Sequence, residues 1–265
     1  LVEVRRPGTV IIGPASVVAD DKTLQSQPIT LLLTGNTVAA PSGNNSDAFL
    51  ITELSAPVAY TGQQIMRRTL LYTAINIDGL DILEIPAAKG CFAADRKRFD
   101  ARLRNQTLKG KKYVVKTLAE TALFPQETGL LTIDPAKIRI DIQQPGAPGN
   151  FFNTTSRILE SPPVTVEVKA LPVPTPPVFT GCTGRYLWEL KADKKNLTTD
   201  DALTLTLSVR GNGDPHRFIP PALTLPSGLE ALDPKIVSEE QYETESEWIH
   251  EQVLEYAILP KVPGD

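Results

Sequence analysis

A short β-run framed by glycine and proline recurs along the chain, each time with the same neighbours in the same order. Thr128-Gly129-Leu130-Leu131-Thr132-Ile133-Asp134-Pro135 is followed, after an insertion, by Ser161-Pro162-Pro163 and the alternating stretch Val164-Thr165-Val166-Glu167-Val168. Earlier, Gly8-Thr9-Val10-Ile11-Ile12-Gly13-Pro14 is followed by Ser26-Gln27-Pro28 and Ile29-Thr30-Leu31-Leu32-Leu33. Glycine opens each run, and an x-Pro ends it because proline has no N–H to give a ladder. A third copy begins at Leu254-Glu255-Tyr256-Ala257-Ile258-Leu259-Pro260 with Pro263-Gly264, matching Leu123-Phe124-Pro125 with Gly129. The spacing is too long for a solenoid unit and right for tandem domains.

The segments upstream of these runs agree as well. Phe49 to Leu54 leads through Thr61-Gly62-Gln63-Gln64 to Arg68–Thr73, and Leu187 to Ala192 leads through Thr199-Asp200-Asp201 to Leu203–Val209. In the last of these, leucines alternate with threonines, the period-two pattern of a half-buried antiparallel strand. Arg98 to Thr107 also alternates, and Lys109-Gly110-Lys111 supplies a turn into Tyr113-Val114-Val115, which predicts a hairpin. A second apolar piece ends at Ala122-Leu123-Phe124-Pro125, and Glu247 to Leu259 contains the returning strand of the equivalent last hairpin. No stretch carries the apolar spacing of a long helix. The expectation is an all-β protein of tandem immunoglobulin-like β-sandwich domains. Residues 1–36 read as the closing strands of a first domain, 46–170 as a complete sandwich, 171–180 as a proline-rich linker and 181–265 as most of a further sandwich. Leu171-Pro172-Val173-Pro174-Thr175-Pro176-Pro177 resembles a stiff spacer that would hold its neighbours at a preferred angle.

At 265 residues, with 41% hydrophobic residues, the chain can bury more than one core. A formal net charge of −4 gives no reason to expect nucleic acid as a partner. No apolar run is long enough to span a bilayer. The chain opens on a strand-like Leu1-Val2-Glu3-Val4 and stops on the turn-like Pro263-Gly264-Asp265, so both ends read as cut from a longer protein. Cys91 and Cys182, the only cysteines, are too few for a zinc site and fall in different repeats, which favours two separate, partly buried thiols.

Candidate chemistry is sparse. His216 lies in the turn Asp214-Pro215-His216-Arg217 and His250 on an alternating strand; both read as solvated or edge-strand residues. There is no Gly-x-Ser-x-Gly elbow, and Gly211-Asn212-Gly213-Asp214 follows a strand into a loop, so it reads as a turn, not a phosphate cradle. The acidic run Ser238 to Glu247 has neither the ligand spacing nor the glycine bend of a calcium loop and reads as a hairpin arm. Three sequons, at Asn105, Asn153 and Asn196, carry little without a secretory context. Neither catalytic residues nor a cofactor or metal site is assembled from this set, and the chain does not read as an enzyme. The sharpest charge feature is basic. Arg98, Arg102 and Arg104 are expected on one hairpin face, opposite Phe99, Ala101 and Leu103; with Lys111 and Lys112 they are the candidate docking face for an acidic partner or anionic headgroups. The bland alternative is a charged edge that discourages strand-to-strand aggregation.

Several stretches together resemble the BatD-type aerotolerance (oxygen-tolerance) proteins of bacteria. They are Gly110-Lys111-Lys112-Tyr113, Ala122-Leu123-Phe124-Pro125 and Gly129 to Ala136 in one repeat. In the next they are Gly181-Cys182-Thr183-Gly184, Leu203 to Val209, Gly211-Asn212-Gly213, Pro220-Pro221, Asp233-Pro234-Lys235 and Tyr256 to Pro260. The insert Gln143 to Ser156, and Cys182 at a position expected to be small and apolar, depart from the pattern. The resemblance implies immunoglobulin-like repeats outside the cytoplasmic membrane, anchored by a segment not in this chain. It also implies a non-enzymatic role in envelope stress tolerance beside membrane proteins bearing von Willebrand A domains and a MoxR-type ATPase. The alternative function is a ligand- or glycan-binding module of a secreted or surface protein, for which an exposed aromatic platform would be needed.

Overall fold

The structure is a computed structural model that describes residues 8–14, 16–19, 22–33, 46–96, 102–145, 152–176, 179–244 and 246–262. The fold is all-β; among the described residues the only helical turn is the 3-10 segment Pro215–Arg217, and no helix is long and apolar enough to cross a membrane. The chain divides into two compact units, residues 1–38 and 39–265.

In the first unit, β1 (Gly8–Ile12) and β4 (Ile29–Leu33) pair antiparallel, with Gly8 opposite Leu33 and Ile12 opposite Ile29. Between them β2 (Ser16–Ala19) and β3 (Lys22–Gln25) form a hairpin.

The second unit opens with β5 (Ala48–Leu54), β6 (Val58–Tyr60), β7 (Ile65–Thr73), β8 (Gly79–Glu84), β9 (Cys91–Asp95), β10 (Arg104–Leu108) and β11 (Lys111–Pro125). It continues with β12 (Gly129–Ile133), β13 (Lys137–Pro145), β14 (Phe152–Glu160) and β15 (Val164–Lys169). The order β10-β11-β7-β5, with β9 also on β11, makes a five-stranded sheet. Two three-stranded sheets, β12-β15-β6 and β14-β13-β8, pack on one face of it. Leu50, Leu71 and Leu118 meet Ile138, Ile140 and Ile142, and Ile65 and Leu123 meet Ile133, Val166 and Val168, so the core is the space between layers. Each such aliphatic side chain contributes about 1.5–3 kcal/mol by leaving water.

The recurring motif has a structural counterpart. β12 pairs β15 with Gly129 opposite Val168 and Ile133 opposite Val164, the same five-residue register as β1 on β4, again around a hairpin, β13–β14. The serine of Ser-x-Pro closes that loop. Ser161 Oγ accepts the Ala136 N–H at 2.9 Å and shares a hydrogen bond with Thr52 Oγ1 at 3.2 Å, so a buried backbone donor stays partnered where proline ends the ladder. The supposed insert is therefore the middle of a hairpin, with Gln143 to Pro145 on β13 and Phe152 to Ser156 on β14.

The remaining strands are β16 (Tyr186–Ala192), β17 (Leu203–Gly211), β18 (Leu229–Ala231), β19 (Lys235–Glu243) and β20 (Trp248–Pro260). Their sheet runs β16-β17-β20-β18, with β19 also on β20, and repeats the order of the first five-stranded sheet strand for strand. β16 meets β17 over seven residues as β5 meets β7, and β20 carries β18 at its end as β11 carries β9. Leu207, Val209, Leu254 and Tyr256 form its core with Phe218 and Leu223 from the crossing segment, where Tyr256 Oη donates to Pro221 O at 2.8 Å.

Three expectations are corrected. Tyr113–Val115 and Ala122–Pro125 belong to a single 15-residue strand, because Thr117, Glu120 and Thr121 between them are partnered inside the sheet and do not break it. Leu103, expected on a buried face, is 66% exposed, since pairing begins only at Arg104. His250 is neither solvated nor on an edge: β20 lies between β17 and the β18–β19 pair, and its ring is buried with Nε2 3.1 Å from Glu239.

Candidate functional site

The basic hairpin forms as its turn chemistry demands. Leu108 lies opposite Lys111, and the two residues between, Lys109 and Gly110, both have positive φ (49° and 83°), as a type I′ turn requires. Arg104, Gln106 and Leu108 share a face with Val115, Tyr113 and Lys111, while Lys112 faces the other way with Thr107. Arg104 and Lys111 are thus brought to one face, Lys112 is not, Arg102 lies ahead of the strand and is exposed, and Arg98 falls outside the described residues.

Lys111 Nζ donates to Asp47 Oδ1 at 2.7 Å and lies 5.6 Å from the Tyr113 ring. That hydrogen bond raises the Lys111 pKa and lowers that of Asp47. Arg104 Nη2 donates to Thr117 Oγ1 at 3.3 Å, and its charge, after that of Arg68, offsets the burial that raises the Glu53 pKa. Beneath lies an aromatic cluster, with Phe49 stacked on Tyr72 at 4.9 Å and edge-on to Tyr113 at 5.2 Å. Tyr72 Oη donates to Gln106 Oε1, and burial pushes its pKa up to about 12.

The densest polar construction is elsewhere, at the junction between the β5–β15 sandwich and the β16–β20 sheet. Gln64 Nε2 donates to Trp248 O at 2.7 Å and Asn212 O at 3.1 Å, while its Oε1 accepts the Trp248 N–H at 3.1 Å. Gln126 Nε2 donates to Asp214 Oδ2 at 2.7 Å, and the Asp214 N–H donates to Gly62 O at 3.1 Å. Arg217 Nη2 donates to Gln126 O at 3.0 Å. A Cβ on Gly62 would stand 2.8 Å from Arg217 Cδ, so that arginine would have to shift, and the φ of +76° itself favours glycine.

Around these bonds the junction is apolar and aromatic. Trp248 meets Phe124 edge-on at 5.7 Å, Phe124 stacks on Phe92 at 5.6 Å, and His216 stands edge-on to Phe92 at 4.4 Å; Met66 and Ala122 complete the cluster. Beside it, buried Glu120 accepts from Arg68 Nε at 2.7 Å and Arg96 Nη1 at 2.6 Å. Arg96 also donates from Nη2 to Thr244 O and lies 3.8 Å from Glu243. Arg96 is an interior bridge between the two sheets.

The sequence reading missed Gln64, Gln126, Asp214 and Trp248 as a set. The one signal was Trp248, a large apolar side chain opening a strand straight after an acidic run. That run is β19 with its turn, and its Glu243 and Glu247 face the junction and Asn212. Both cysteines are free and half-buried; burial pushes the Cys91 thiol up to about 11 and raises that of Cys182.

No known family profile matches the chain, and no curated protein matches it.

Proposed function

We propose that the chain is a non-enzymatic scaffold of a membrane-anchored envelope complex, working outside the cytoplasm in oxygen or stress tolerance, as the BatD-type resemblance implies. Its partners on this reading are membrane proteins with von Willebrand A domains, and the membrane is met only through a segment outside this chain. The observation that supports the reading is the junction. A scaffold must hold surfaces at a fixed mutual placement, and Gln64, Arg96, Glu120 and Trp248 join sandwich and sheet through buried bonds and ring contacts. The basic residues Arg102 and Arg104, both exposed, offer the charge for a docking partner.

The test is affinity capture. The immobilised chain is exposed to detergent-solubilised envelope of its source organism, and retained proteins are identified by mass spectrometry. The expected result is retention of a von Willebrand A-domain membrane protein, lost when Arg98, Arg102 and Arg104 are reversed to Glu. Retention of glycan without such a protein would replace the scaffold with the glycan-binding reading.

A further inference from the structure

β16 is the edge strand of the second five-stranded sheet, and its outer side meets no described strand. An edge strand presents a row of unpaired backbone donors and acceptors, a template for another strand unless charge, proline or a bulge blunts it. β16 has none of the last two, pairing regularly with β17 over its whole length. Two of its side chains, Trp188 and Leu190, are apolar and open. At register-equivalent positions, Leu50 and Thr52 of β5 are 1% and 7% exposed, whereas Trp188 and Leu190 of β16 are 41% and 56% exposed. β5 lies under β14 and β15, whereas no described strand covers β16 comparably, and the Trp188 ring stands 6.0 Å from that of Phe218 in the crossing segment. Leu187, on the other face, is also exposed.

The charges choose the occupant. The only ionised side chains of β16 are Glu189 and Lys191, both exposed and paired with each other at 2.9 Å. We propose that β16 pairs antiparallel with β16 of a second copy of this chain, about a two-fold axis through Leu190. In that register Leu190 lies opposite itself and Trp188 opposite Ala192 of the second copy. Glu189 then lies opposite Lys191 of the second copy, and by symmetry the converse holds. Two opposite-charge pairs and a Trp-Leu-Leu-Trp row fall together, and the two sheets become one continuous sheet. Shifting the register by two residues either way loses this match, because centring on Glu189 or on Lys191 puts like charges face to face. The in-chain Glu189–Lys191 contact is solvent-exposed, so re-pairing it across the axis costs little.

The full chain is tested by sedimentation velocity over a micromolar concentration series, with Glu189→Lys, Lys191→Glu, the double exchange, and an equimolar mixture of the two single variants. The wild type is expected to move from monomer towards dimer as concentration rises. Each single variant weakens self-association about tenfold, because two favourable pairs become two repulsive ones. The double exchange restores it. The mixture of single variants associates where neither does alone, since each then meets its opposite. All four residues of the two pairs are exposed, so the variants keep the native far-UV signal. A wild type that stays monomeric throughout, a dimer indifferent to the single charge changes, or a mixture no better than its parts would each overturn the proposal.

Discussion

Glu53 shows how a half-buried charge sets a pH dependence. Burial raises its pKa, and the nearby Arg68 and Arg104 only partly offset this. A carboxyl whose folded pKa lies above its unfolded one favours folding when protonated, and that contribution is lost as pH rises through the folded value. Glu53→Gln should therefore leave stability unchanged well below pH 4.5, the ordinary glutamate value, and raise the melting temperature at neutral pH. Thermal scans of both proteins across that window check it; a lower melting temperature for the variant at pH 7 would mean that the arginines outweigh burial. The thiols give a second case. With Cys91 pushed up to about 11 and Cys182 also raised, little thiolate exists at pH 8, so iodoacetamide should label both slowly in the native chain and rapidly after denaturation. Mass spectrometry of timed samples reads this directly. Composition made the separate thiols legible, because two cysteines in different repeats have no partner close at hand. It could not make the buried His250 or Arg96 legible, because each is buried only with a partner from another strand.

Strands and turns were legible where local chemistry decides them. The Lys109-Gly110 turn follows from residue type, and it carries one unfavourable choice, a lysine at φ 49°. Lys109→Asn should stabilise the protein by a few tenths of a kcal/mol, whereas Gly110→Val should destabilise it by about 1 kcal/mol or more, both measurable by urea unfolding. Opposite signs are the test; equal effects would deny the I′ turn. The Gly-run-Pro and Ser-x-Pro pattern was legible as a repeat, and the common register of β1 with β4 and β12 with β15 is what it encodes. β11 was not legible as one strand. Its central Lys116, Thr117, Glu120 and Thr121 break the apolar alternation, yet Glu120 is held by two arginines and Thr121 Oγ1 joins Arg67 and Asp95. Only the neighbouring strands reveal that Thr117, Glu120 and Thr121 belong inside, while Lys116 stays exposed. The β13–β14 hairpin was hidden for a different reason: its far end carries Gln143, Gln144, Asn153 and Thr154, which lack the apolar alternation of a packed strand.

Sandwich and sheet in residues 46–262 meet through the junction, and its side chains lie far apart in sequence. Gln64 and Trp248 are the clearest pair: a glutamine bonding both the N–H and the C=O of one residue repairs a strand end as another strand would. No periodicity within either segment announces such a bond, which is why the linker composition alone suggested a preferred angle. Trp248→Ala should remove the ring contact with Phe124 and cost about 3 kcal/mol, the usual scale for a buried tryptophan, with sandwich and sheet then unfolding in separate calorimetric transitions. The central claim is that these parts move as one body. Backbone 15N relaxation at dilute concentration tests it most directly, by giving rotational correlation times for amides of β5, β7 and β11 and for those of β17 and β20. A single correlation time for both groups in the wild type, splitting into two shorter ones in Trp248→Ala, is the predicted result. Two different, shorter times already in the wild type would contradict it.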